Sequence, residues 1–124
     1  MLAATNVSAQ FQLYKEIDSL QFYTKWSHAK WYSKKSGDVL LVKVVNTSSS
    51  TAELSVGVEF FASMKLVEES QVYSYCVEAG KTLKPRVHGL VFQPASGGKE
   101  NFESFELKDP DITKRGTTQC PKKD

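Results

Sequence analysis

The clearest order along the chain is a period of two. Over residues 52–60, the apolar Ala52, Leu54, Val56, Val58 and Phe60 alternate with Glu53, Ser55, Gly57 and Glu59. Successive side chains of a strand point to opposite faces. The stretch therefore reads as one half-buried antiparallel strand, apolar side in a core and polar side in water. Just upstream, residues 39–45 are a near-continuous run of Val and Leu interrupted by Lys43. That is the pattern of a central strand covered on both faces. Between the two lies Asn46-Thr47-Ser48-Ser49-Ser50-Thr51. These short polar side chains bond their own backbone and favour turns, so the two strands are expected to pair through this loop.

Further strands are expected at regular spacing. Residues 11–17 and 20–26 supply one or two, and 62–65 make a tight reversal after Phe61. Residues 72–77 follow, turned by Glu78-Ala79-Gly80-Lys81. A strand over 86–93, with His88 inside it, closes at Pro94, and 102–107 form the last. No stretch of ten residues combines helical spacing with caps. Seven or eight short strands in this rhythm predict an all-β fold, an antiparallel two-sheet sandwich, over residues 11–110. Residues 111–124 read as a mobile polar tail unless Cys120 pins them.

The segment Leu41-Val42-Lys43-Val44-Val45-Asn46-Thr47, the alternating strand after it and the turn at Gly80 resemble exported bacterial immunoglobulin-like or fibronectin-type domains. The resemblance covers residues 39–93 and is one of strand and turn pattern. It implies an immunoglobulin-like β-sandwich, an architecture used for adhesion, spacing or ligand binding. It carries no site across, since a fold does not fix a function. The chain departs from antibody-type domains in that Cys76 has no upstream cysteine to bridge to.

At 124 residues the chain suits one domain. Sixteen Lys and Arg against fourteen Asp and Glu leave +2, too little to point to nucleic acid or an anionic membrane. No apolar run reaches the roughly 18 residues that span a bilayer. Residues 1–10 carry no charged side chain, and Val7-Ser8-Ala9 fits a small-x-small cleavage site. They read as a signal-peptide remnant, with a disordered arm as the alternative. Cys76 and Cys120 are expected either to form one disulfide or to be unrelated thiols. Together these features predict an exported protein: periplasmic, cell-surface or extracellular.

Candidate chemistry is sparse. His28 and His88 lie sixty residues apart with no Gly-x-Ser-x-Gly elbow, and no cysteine or histidine has metal-ligand spacing. The nearest carboxylate pairs, Glu68-Glu69 and Asp109/Asp111, fall near turns, and no phosphate-cradling glycine motif or cofactor motif is present. Residues 22–35 hold five aromatics and four lysines. Phe22 and Trp26 are expected in the core, which leaves Trp31 and Tyr32, with His28, as candidate ligand-binding residues. Asn46-Thr47-Ser48 and Asn6-Val7-Ser8 match the glycosylation acceptor pattern. The reading is a non-enzymatic exported binding module with a protein or glycan partner. The alternatives are a small carbohydrate-recognising domain using Trp31 and Tyr32, and an enzyme of an unrecognised small class.

Overall fold

The structure is a computed structural model that describes residues 10–30, 33–95, 102, 104–108 and 111–121, with only the backbone of 33 and 34. Readings that fall on residues 1–9, Asn6 among them, and on Trp31 and Tyr32 lie outside the described residues. In chain order come β1 (Gln12–Ile17), β2 (Leu20–Lys30), β3 (Ser33–Asn46), β4 (Ala52–Val56), β5 (Val58–Ala62) and β6 (Lys65–Glu69). Then follow β7 (Tyr73–Val77), β8 (Thr82–Leu83), α1 (Pro85–His88), β9 (Val91–Phe92), β10 (Ser104–Leu107) and β11 (Ile112–Lys114). All pairings are antiparallel. Sheet I runs β1-β2-β3-β8, with β9 also on β3; sheet II is β11-β4-β7; sheet III is β10-β5-β6.

The all-β, antiparallel expectation holds, but the chain divides into eleven strands and three sheets among the described residues. The single strand expected over 52–60 is two strands that part at Gly57 and join different sheets. Its apolar alternation runs on unbroken, since Ala52, Leu54, Val56, Val58 and Phe60 are all buried. Period two reports which side faces the core, not which neighbour supplies the hydrogen bonds. The crossing is tight: a Cβ on Gly57 would lie 2.9 Å from Val72 Cγ2 and 3.2 Å from Lys108 Cδ, so a side chain there would push Val72 aside. The loop 47–51 likewise does not join two paired strands. It carries the chain from β3 in sheet I to β4 in sheet II.

Two further expectations are corrected. Residues 86–93 do not make one strand; they pass through α1 to the two-residue β9. Pro85 is preset for the first helical position, and Gly89 at φ 80° ends the turn in the left-handed region. His88 is therefore the exposed last residue of a helical turn. In the segment read as a mobile polar tail unless Cys120 pins it, Cys120 is tied to Cys76 and Ile112–Lys114 forms β11 opposite Leu54, Glu53 and Ala52. Cys76 and Cys120 form a disulfide, with their Cα atoms 5.7 Å apart.

One hydrophobic cluster unites the inner faces of all three sheets, with Phe22 and Val42 from sheet I, Leu54 from sheet II, and Val58 and Phe60 from sheet III. Asn46 sits at its edge with no exposure. Its Nδ2 donates to Ser50 O at 2.8 Å and to Val77 O at 3.0 Å. Its Oδ1 accepts from Ser48 N at 3.0 Å and Ser48 Oγ at 2.7 Å. The Asn46 amide donates to Lys81 O, and its carbonyl accepts from Gly80 N, each at 2.9 Å. Both amide protons are thus engaged away from solvent, so Asn46-Thr47-Ser48 is no glycosylation site in the folded protein.

Replacing Asn46 by Ala takes the Nδ2 donor from the buried Val77 carbonyl and leaves Ser50 O with Ser48 Oγ alone. The expected loss is about 3 kcal/mol, or roughly 10 °C in melting temperature. Cys120→Ser opens a loop spanning a sequence separation of 44. It is expected to remove about 4 kcal/mol in the chain-entropy account. Denaturant unfolding under non-reducing conditions checks both, and an unchanged midpoint in either variant contradicts the assignment.

Candidate functional site

The hairpin between β1 and β2 turns on Asp18 and Ser19, both at positive φ, which matches the twist of a two-residue connection. Along that hairpin the register shifts between Leu13 and Lys15, leaving Tyr14 as the unpaired residue of a bulge. Bulges re-aim side chains. The Tyr14 ring stacks on Phe105 of β10, with centroids 5.6 Å apart. Its hydroxyl oxygen accepts a long hydrogen bond, 3.4 Å, from Leu107 N. Trp26 of β2 meets the edge of Phe105 at 6.4 Å and tilts against Phe60 at 6.0 Å. Phe102 continues the cluster from Phe60 at 5.1 Å.

These rings enclose a notch of about 310 Å³, lined by Tyr14, Trp26, Phe102, Ser104 and Phe105. It lies where the edge strand of sheet I faces the edge strand of sheet III. The volume falls at the lower end of small-ligand sites, and the lining has their character, apolar walls with a few polar groups. Among the described residues Tyr14 uses only its oxygen lone pair, which leaves its O–H as a donor. Only Trp26 of this set stands out in the sequence, where it is expected in the core. It packs against the core and is half-buried. Tyr14, Phe102 and Phe105 carry no local signal, because strand pairing and a bulge bring them together from distant positions.

The residues singled out by sequence fall elsewhere. His28 Nδ1 is buried and lies 3.5 Å from Asp38 Oδ1, within ion-pair distance but without the alignment of a hydrogen bond. Beside it, Arg86 donates to the carbonyls of Ala29 and His28, at 2.9 and 2.7 Å, and to Ser27 Oγ at 3.3 Å. The guanidinium thus ties α1 to the far end of β2. His88 Nδ1 instead accepts from Lys84 N at 2.8 Å. The two histidines are structural neighbours of α1, not parts of one reactive group.

A second concavity, of about 570 Å³, runs over the outer face of sheet II beside Cys76. Its polar lining is largely used within the protein: Glu53 Oε2 pairs with Arg115 Nε at 2.9 Å, and Ser55 Oγ accepts from Asp111 N at 3.2 Å. No group of three or more His, Cys, Asp or Glu among the described residues is arranged to hold a metal ion. No helix among them is long and apolar enough to cross a membrane.

Tyr75 also borders this groove, and its hydroxyl donates to Gly89 O at 3.2 Å. Burial first, and the neighbouring Tyr73 second, push its pKa above the ordinary 10.0. The neutral phenol is thus favoured in the fold. Its contribution is complete below the unfolded value and is lost as pH rises through the folded one. Urea denaturation from about pH 8 to about pH 11 should show an alkaline fall in stability that is shallower in Tyr75→Phe. Identical slopes for the two proteins contradict this.

No family model matches the chain, and neither a curated protein nor a solved structure matches it.

Proposed function

We propose that this protein is a non-catalytic binding module of an oxidising, exported compartment, built as an immunoglobulin-like sandwich. In this reading sheet I forms one layer, and sheets II and III, linked directly through Gly57, form the other. Support comes from the single core shared by the three sheets. The Cys76–Cys120 disulfide supports the compartment, since such bonds persist where thiols are not kept reduced. The absence of an enzymatic role is part of the proposal: it rests on histidines and carboxylates that serve contacts within the fold.

The observation that carries the binding role is the notch of Tyr14, Trp26, Phe102 and Phe105. Aromatic walls with hydroxyl groups at the rim favour a ligand ring with an apolar face and a polar edge, as a sugar has. That favours the carbohydrate reading, carried by these rings rather than by Trp31 and Tyr32. A titration with mono- and disaccharides, read by tryptophan fluorescence and amide chemical shifts, tests it. Shifts should centre on Trp26 and Ser104, and Phe105→Ala should weaken binding about ten-fold or more. Loss of binding in Trp31→Ala with Phe105→Ala unaffected would move the site to residue 31. Turnover in a hydrolase screen that is abolished at His28 would overturn the non-catalytic role.

A further inference from the structure

Two outward faces of the molecule complement each other in charge and in apolar content. On sheet I, Leu13, Tyr23 and Lys43 stand opposite one another across β1, β2 and β3. Their neighbours in sequence on β2 and β3, Phe22, Val42 and Val44, point into the core, so this row faces out. Lys43 Nζ lies 4.8 Å from the ring centres of both Tyr23 and Phe11, and Lys25 Nζ lies 5.5 Å from Phe11. Neither lysine has a carboxylate partner among the described residues. Leu13 is 53% exposed beside them. The face is basic, aromatic and partly greasy.

Sheet III presents the opposite. Glu106 stands opposite Glu59, and Glu59 opposite Glu69, in one row across β10, β5 and β6. The adjacent row is Ser104, Phe61 and Leu66, and Leu66 is 49% exposed. Phe60, Val58 and Leu107 point inward from the same strands. Like charges directly opposite one another weaken a sheet. Among the described residues, the row's one ion pair is Glu69 with Lys108, at 3.2 Å. Three carboxylates less one ammonium leave two negative charges, and on the other face the two lysines less Glu16, which stands opposite the outward Gln21, leave one positive charge.

We propose that the outer face of sheet I on one copy of this chain docks on the outer face of sheet III on the next. Each face carries charge beside exposed apolar surface, so the charges steer the contact and the apolar rows bury against each other. Trp26 of sheet I packs against Phe60 of sheet III from the inner side, so the two outer faces point away from each other. The contact is therefore heterologous and propagates into a row of copies instead of closing as a two-fold dimer. It goes beyond the binding reading, because the notch rings Tyr14, Trp26, Phe102 and Phe105 pack on the core side and only Ser104 borders both the notch and the docking face.

Sedimentation velocity of the full, oxidised chain at rising concentration tests this. At about 20 mM salt the average mass should climb past that of a dimer, and at about 500 mM it should return to the monomer. Lys43→Glu and Glu59→Lys should each weaken association about ten-fold or more, and an equimolar mixture of the two should associate again. Phe105→Ala should associate like the parent, which separates this contact from the notch. Should either reversed variant lose its β-sheet circular dichroism, Lys43→Gln and Glu59→Gln take its place. Carbodiimide coupling of labelled with unlabelled chains should join Lys25 or Lys43 of one copy to Glu59, Glu69 or Glu106 of another. A monomer at every concentration, an assembly that stops at two, or charge variants that associate unchanged overturn the proposal.

Discussion

Asn46 joins three parts of the chain that hydrophobic burial alone would leave free to slide. It ends β3, and its side chain reaches the last residue of β7 and the loop that leads into β4. Its backbone holds the turn at Gly80 and Lys81. Every polar atom of the residue has a partner, which a fully buried amide requires. An apolar residue here would keep the burial and lose the register between sheets I and II. On the other side of β7 the Cys76–Cys120 bond performs a related task for the end of the chain. Cys120 N also donates to the Glu78 carboxylate at 2.9 Å. The polar node and the covalent staple thus act on consecutive residues of one strand.

With that end fixed, the opposite edges of sheets I and III are held in place to form the notch. Among the described strands β1 pairs only with β2, and its bulge at Tyr14 sends a ring across to β10. Phe60 of the central cluster packs behind two rings of the notch wall, Trp26 and Phe102. The rings are therefore anchored by the same packing that stabilises the fold. Such anchoring lowers the entropy lost when a ligand stacks, the usual advantage of a preformed site.

Much of the strand content was legible because burial in a sheet leaves a period of two. Leu54 and Val58 point inward as their spacing requires, and the reversals at Asp18-Ser19 and Ser63-Met64 fall where polar or turn residues interrupt the pattern. Partner choice was not legible. Gly57 looks like any other outward position until the backbone on either side is seen to enter different sheets. The helical turn at Pro85 was hidden because Val87, Leu90, Val91 and Phe92 read as one strand, and β11 because it lies in a polar stretch. For the site, aromatic density drew the eye to residues 22–35, whereas three of the notch rings come from isolated positions. Contacts made by tertiary pairing leave no mark in local composition.

Native-state hydrogen exchange tests most directly the claim that the Asn46 node governs the fold. The amides of Asn46, Ser48 and Gly80 all bond within it, although Gly80 lies in an exposed turn. If the node opens only when the protein unfolds, these three exchange at the same free energy as Val42 in the centre of β3. Exchange of Ser48 and Gly80 at the rate of ordinary exposed turns, with Val42 still protected, would show that the sheets hold together without it.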